Sequence, residues 1–265
     1  MSRQERMVRS YDRTMGGKYQ RRYYGHSGFY NFGYWGEGAD DQKAASEALV
    51  DLLASRLSNT NGRILDVACG MGATSERLTR SFPADAITGI NVSDKQIDMA
   101  RERVPGAEFQ VMDATKLAFD PESFDAVLCV EAAFHFDTRA DFLAEAFRVL
   151  KPGGGLSLSD ILFKRWFSYL PSTRGVPRAN LLPSIDSYHA LMTEAGFVDI
   201  VIDDHTDMTL DCFVQSLSRW PDKAYRDGDM SRRTSRAARF VTPVIARYFA
   251  VICRSYLIVS ARKPG

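Results

Sequence analysis

LDVACGMGATS, residues 65–75, is an apolar run that breaks into two closely spaced glycines, Gly70 and Gly72. A short apolar run bounded by glycine reads as a buried strand. Glycine at the break lets the backbone turn tightly and lie against a ligand with no Cβ in the way. A helix opening at about Ala73 then presents unpaired N–H groups to the same place. Asp66, four residues before Gly70, stands where a carboxylate can accept a hydrogen bond from a cationic amine. The pattern departs from the dinucleotide fingerprint. Ser75 occupies the third glycine position of GxGxxG, and the ribose-binding acid expected ~20 residues on falls near Gly89, Ile90 and Asn91, where no acid stands. A nicotinamide enzyme is therefore disfavoured.

Outward from this turn, strand and helix signals alternate. RILDVA (63–68), DAITGIN (85–91), AEFQVM (107–112), FDAVLCV (124–130) and LSLSDILF (156–163) read as strands. KAASEALVDLLASRL repeats apolar residues at helical spacing. DKQIDMARER reads as a helix opened by a capping-box pattern of Ser93 and Gln96. DFLAEAFRVL (141–150) reads as a helix that stops at KPGGG, and Asp137 is the candidate cap before it. Alternation at this spacing predicts right-handed βαβ crossovers and an α/β fold with a doubly wound, mostly parallel sheet. SYHALMTEAG (helix), FVDIVIDD (197–204) and SYLIVSA (255–261) bring the strand count to seven. Residues 164–183, rich in aromatics, Pro and Arg, read as a loop or lid. SRRTSRAARFVTPVIARYF reads as a basic amphipathic segment. With no repeat and no low-complexity linker, a single domain over 1–265 is expected: a lead-in (1–42), a core (43–163), and a lid with the strands that complete the sheet (164–265).

A hydrophobic fraction of 45% and a charged fraction of 25% fit a globular chain with a proper core. The net charge of +1 makes no case for a nucleic-acid partner. Cys69, Cys129, Cys212 and Cys253 show neither CxxC nor Cys/His ligand spacing, so reduced thiols in a cytoplasmic protein are expected, with no metal site. The polar N-terminus is no signal peptide, and no apolar run approaches the ~18 residues of a membrane span. A homo-oligomer is compatible with all of this.

LDVACGMG resembles the first motif of the class I S-adenosylmethionine (SAM)-dependent methyltransferases, with Ala68 where that motif usually has its first glycine. GINVSDKQ, VMDATKLAFDPESFDAVLCVEAAFHF and RVLKPGGGLSLSD resemble their following motifs, in order, over about residues 60–163. The resemblance is to the small-molecule branch that includes natural-product and sugar O-methyltransferases and tocopherol methyltransferases. SYD and FGYW in the lead-in resemble the N-terminal helical cap of that branch. The resemblance implies a Rossmann-like fold and SAM as cofactor, with S-adenosylhomocysteine as product. It places Asp66, Ala68, Gly70 and Gly72 beside the methionine part, Ile90, Asn91 and Gln96 at the ribose and adenine, Asp113 and Ala114 at the adenine, and Glu131 at the methyl-donor end.

Transfer from a sulfonium is an in-line displacement, so the protein mainly aligns the nucleophile and handles any proton it loses. An imidazole steadied by a carboxylate suits that task. His135 and Asp160 fall at the ends of the fourth and fifth predicted strands, which line the crevice of a parallel sheet. The resemblance implies that they serve as general base and orienter; the alternative for His135 is substrate orientation alone. His26, His189 and His205 read as surface or structural residues. Tyr11, Tyr34, Trp35 and Trp166 are candidate acceptor contacts, or packing between cap and sheet. Arg165, Arg174 and Arg178 are candidates for an acidic acceptor. The expected function is methyl transfer to a small molecule, foremost a hydroxyl of a secondary metabolite. The alternatives are C- or N-methylation of an indole, amine or prenyl diphosphate, and SAM binding without transfer.

Overall fold

The computed structural model describes residues 3–15, 17–36, 38–57, 61–169 and 176–265. Its centre is a seven-stranded sheet in the order β3-β2-β1-β4-β5-β7-β6. The strands are β1 (Ile64–Val67), β2 (Ile87–Asn91), β3 (Glu108–Val111), β4 (Phe124–Val130), β5 (Leu150–Phe163), β6 (Val198–Asp204) and β7 (Cys253–Arg262). Every pairing is parallel except those of β7, which runs antiparallel to β5 and β6. The strand order reverses between β1 and β4, and ligands of open α/β sheets bind beyond the strand ends at such a switch point.

Alternation along the strands divides the core in two. In β4, Ala126 and Leu128 point to one face, with Leu49 and Leu53 of α3 (Gln42–Ser55) and Phe213 and Leu217 of α8 (Cys212–Arg226). Phe124, Val127 and Cys129 point to the other face, with Phe142 and Ala146 of α6 (Arg139–Val149) and Tyr188 and Met192 of α7 (Ile185–Glu194). A smaller cluster joins α5 (Asp94–Arg103) to β3 through Ile97, Ala100 and Phe109. The helix expected after the glycine turn is α4 (Ala73–Leu78). The lead-in folds as α1 (Arg3–Met15) and α2 (Lys18–Tyr23), and a long α9 (Arg232–Ile252) follows α8.

Two local expectations are corrected. The cap of α6 is Thr138, not Asp137: its side chain accepts from the Asp141 N–H, and Asp141 accepts from the Thr138 N–H. KPGGG is not only a helix stop, because β5 begins directly at Leu150, pairs with Phe124 and resumes beyond a bulge at Gly155. Helix α8 buries Phe213, Leu217, Pro221 and Ala224 at helical spacing and carries Pro221 inside it, as α9 carries Pro243. Among the described residues no helix is long and apolar enough to cross a membrane. Helix α9 keeps Phe240 and Val244 largely exposed.

The Thr138 cap has a measurable value. Thr138→Ala should lower unfolding free energy by about 1 kcal/mol, read as a shifted urea midpoint with an unchanged slope.

Candidate functional site

The loop between β1 and α4 forms one wall of a cavity at the switch point. Cys69 N–H donates to the Ile90 carbonyl, tying the loop to β2 at 3.0 Å. Ala68 carries φ of 61° and Gly70 φ of 56°, both left-handed. That conformation explains why glycine suits position 68, where alanine bears the cost of its Cβ. Gly72 is left-handed for another reason: a Cβ there would lie 2.9 Å from Ala100 Cα, so glycine lets α4 start against α5.

The cavity is lined by Ala68, Gly70, Ile90, Asn91, Gln96, Asp113, Ala114, Glu131 and His135 from the sheet side, and by Tyr11 from the cap. Ten of the expected residues are thus together. Asp66 is not on the lining: it is sealed behind the loop, where Oδ2 accepts from Ser75 Oγ at 2.6 Å. Position 75, the missing glycine of the dinucleotide pattern, is occupied by the hydroxyl that satisfies this acid. Burial pushes the Asp66 carboxyl up to about 7 against the lowering effect of that bond.

Asn91 and Gln96 form a relay to the cap. Asn91 Nδ2 donates to Gln96 Oε1 at 2.8 Å, and Gln96 Nε2 donates to Asp12 Oδ1 of α1 at 2.8 Å. Ser93 Oγ, the N-cap of α5, accepts from the Gln96 N–H and donates to the same Asp12 oxygen. The capping box is therefore half formed, its Gln96 side chain being drawn to α1. Asp113 turns inward to its own segment, accepting from the Thr115 N–H and hydroxyl.

At the far wall, Glu131 sits with φ of 50°, a strained value at a strand end. Its Oε2 accepts from the Phe32 N–H and from the Tyr256 hydroxyl, each at 2.8 Å. Both bonds end on one oxygen, leaving Oε1 without a donor among the described residues. Burial, outweighing these two bonds, pushes the carboxyl up to about 8. His135 ends a short turn (Ala133–His135), and its Nε2 lies 2.5 Å from the Tyr11 hydroxyl. Burial raises Tyr11 well above the ordinary phenol range, with Tyr30 and Glu131 adding to it. Tyr11 therefore keeps its proton, and the tautomer of the ring decides which of the two atoms donates.

Asp160 is the main correction. It is fully buried and absent from the lining, and its hydrogen bonds go elsewhere. Its carboxylate holds the Arg139 guanidinium through Nε at 2.7 Å and Nη2 at 3.1 Å, and accepts from the Tyr188 hydroxyl at 2.8 Å. It does not touch His135, because strand alternation turns position 160 away from the cavity. Tyr34 packs edge-on to His205, Trp35 Nε1 donates to the Phe32 carbonyl, and Trp166 is exposed beside Phe167; none is on the lining. Arg165 and Arg178 are exposed off the cavity, and Arg174 lies outside the described residues. Asn31 was missed. It is buried on the lining, and its Oδ1 has no hydrogen-bond partner among the described residues. The aromatic lead-in has no periodicity that would have flagged it.

A glycine turn at the switch point of a doubly wound sheet, polar stations at the ends of β2 and β3, and acceptors at the far wall define a SAM-binding, Rossmann-like enzyme. The cofactor is cationic at its sulfonium and ammonium, and an orphan Asn31 Oδ1 with a free Glu131 oxygen fits such a ligand. The family model described as "Methyltransferase domain" matches residues 65–158. The chain is 32% identical over 196 residues to the O-methyltransferase rstn1 of Aspergillus nomiae, covering 68% of this chain and 85% of that protein. It is 28% identical to the erythromycin 3''-O-methyltransferase of Saccharopolyspora erythraea, covering 89% of this chain and 84% of that one. Its fold matches the crystal structure of geranyl diphosphate C-methyltransferase from Streptomyces coelicolor with a TM-score of 0.71, at 16% identity and over 99% and 98% of the two chains. The chain belongs to the SAM-dependent methyltransferase family and is a methyltransferase of natural-product type.

Two outcomes follow from this geometry. Asp66 and Glu131 hold protons more tightly folded than unfolded, so their contribution to stability is lost as pH rises from the ordinary carboxylate range to about 7 and about 8 respectively. A cationic ligand favours the ionised carboxylates. Glu131 is the one of the two on the lining, so SAM affinity by calorimetry should increase as pH rises toward about 8, more than that of S-adenosylhomocysteine, and Glu131→Gln should flatten that rise. Ala68→Gly should raise unfolding free energy by about 0.5–1 kcal/mol, since it relieves a left-handed alanine at some cost in unfolded-state entropy, as a denaturation midpoint would show.

Proposed function

We propose that the enzyme methylates a hydroxyl of a small secondary metabolite and that His135 Nε2 takes the hydroxyl proton. The observation that carries this reading is the position of Nε2: on the wall of the cavity and 2.5 Å from the Tyr11 hydroxyl. An acceptor hydroxyl entering beside or in place of Tyr11 meets the same nitrogen in the same geometry. SAM supplies the activated methyl group. Ala68 and Gly70 let the backbone lie close to its methionine part, and Asn31 and Glu131 offer acceptors to its charges. Asn91, Gln96, Asp113 and Ala114 face its ribose and adenine. Residues 1–42 act as the cap, with Tyr11 and neighbouring aromatic residues keeping water from the acceptor.

In this reading Asp160 does not orient the imidazole directly. Hydroxyl acceptors accord with the O-methyltransferase names of the relatives. Carbon or nitrogen acceptors remain the second reading, without an arginine on the described lining to recognise a diphosphate.

Incubation with methyl-labelled SAM and a panel of hydroxylated glycosides, polyketides and phenols, beside indoles, amines and prenyl diphosphates, tests the acceptor class. Label on oxygen is expected, and label on carbon or nitrogen alone would sink the proposal. With the accepted hydroxyl compound, His135→Ala should cut turnover by about 100-fold or more and leave SAM binding nearly intact.

A further inference from the structure

The carboxamide of Asn180 is sealed from water and makes three hydrogen bonds around the histidine turn. Nδ2 donates to the Phe134 carbonyl at 3.1 Å and to the Phe136 carbonyl at 2.8 Å, the residues on either side of His135. Oδ1 accepts from the Arg139 N–H at 2.8 Å. Two carbonyls and one N–H admit a single orientation of the amide, since only its nitrogen can donate twice. The backbone of Asn180 is fixed in turn: its carbonyl accepts from Arg139 Nη1. Arg139 also donates through Nη2 to the Ile161 carbonyl at 2.8 Å and forms the two-point bridge with Asp160. Asn180 comes from the short turn Arg178–Asn180, beyond the loop that follows β5. It shares no element with His135.

We infer that Asn180 is the positioning residue of His135, and that Asp160 acts on the imidazole only through Arg139 and Asn180. This rests on the reading of His135 as the group that meets the acceptor. A histidine on a one-turn loop has no ladder to fix its backbone. Clamping the carbonyls before and after it sets the direction of its Cα–Cβ bond, and with it the distance from Nε2 to a hydroxyl in the cavity. Such placement matters because a shift of about 1 Å at a reacting group can cost ~100-fold in rate. No other residue type of this size offers two donors and an acceptor on one planar group, so the near-isosteric Asn180→Asp removes the clamp at constant volume. Its carboxylate would face the two carbonyls without a donor for either.

The experiment compares wild type, Asn180→Asp and Asn180→Ala, each saturated with S-adenosylhomocysteine, by nitrogen NMR of labelled histidine. Calorimetric stoichiometry counts folded, binding-competent sites, so a variant that folds in part is still read per site. The wild-type Nε2 signal should carry the shift of a hydrogen-bonded acceptor. Both variants should lose that shift while binding S-adenosylhomocysteine within a few-fold of wild type. An unchanged Nε2 signal in both would overturn the proposal.

Turnover of the hydroxyl compound accepted in the panel gives the second arm. Asn180→Asp should lower kcat ~10-fold or more with little change in KM, and that loss should vanish when His135→Ala is already present. An equal loss in both backgrounds would mean a merely structural role and overturns the inference. If His135→Ala itself leaves turnover intact, the proton-acceptor reading fails, and the NMR arm alone then decides whether Asn180 places the ring.

Discussion

Two opposite charges sealed from water cannot be left apart. Arg139 and Asp160, both almost wholly inaccessible, meet with two-point geometry at the junction of β5 and α6. Removing either partner of such a pair would strand the other, a loss of several kcal/mol, so the surrounding backbone is held to whatever arrangement keeps them together. The guanidinium does more than neutralise the acid, since its remaining donors reach the carbonyls of Ile161 and Asn180. One ion pair thus joins the middle of the sheet, the start of α6 and the turn at Arg178–Asn180. Those three elements surround the short loop on which His135 stands.

The cofactor end is governed by a different constraint, the close passage of backbone. The loop after β1 is left-handed at Ala68 and Gly70 and is braced from behind by the hydrogen bond between Ser75 and Asp66. Here an acid and a hydroxyl shape a wall without reaching the cavity. At the opposite wall the acid does reach the cavity, and its hydrogen bonds to Phe32 and Tyr256 tie the cap and β7 to the end of β4. The two carboxyls thus share an elevated affinity for protons but differ in what they touch. That difference separates a residue that braces the glycine loop from one able to meet a cationic ligand.

Most of the scaffold was legible because it is built from local signals. The strands from β1 to β5 are apolar runs, and α5 ends where its capping and charge pattern say it should. The glycine turn announces its ligand through steric need, which leaves a trace in one sequence. What failed was geometry across the sheet. Asp160 and His135 lie at adjacent strand ends, but which face position 160 takes depends on a register set by a bulge at the start of β5, and nothing local encodes that. Tyr34, Trp35 and Trp166 were candidates because large aromatics favour both lids and cores, and the fold used them outside the cavity. Asn31, Asp12 and Asn180 went unnoticed for the converse reason. A short polar residue in a loop carries no periodicity, and its importance comes wholly from what the tertiary fold brings to it.

The relay through Asn91, Gln96 and Asp12 bears on selectivity. Asn91 has already committed its amide, Nδ2 to Gln96 and Oδ1 to the Val92 N–H. If the ribose of SAM sits there, as proposed, its hydroxyl exchanges one hydrogen bond for another, and such exchanges change net binding free energy little. The contact therefore discriminates more than it attracts. A ligand with hydroxyls in the right places can replace the bonds it disturbs, whereas one without them leaves a half-buried amide unmatched. Because the last member of the relay is on α1, an exchange at Asn91 would also reach the first helix of the chain.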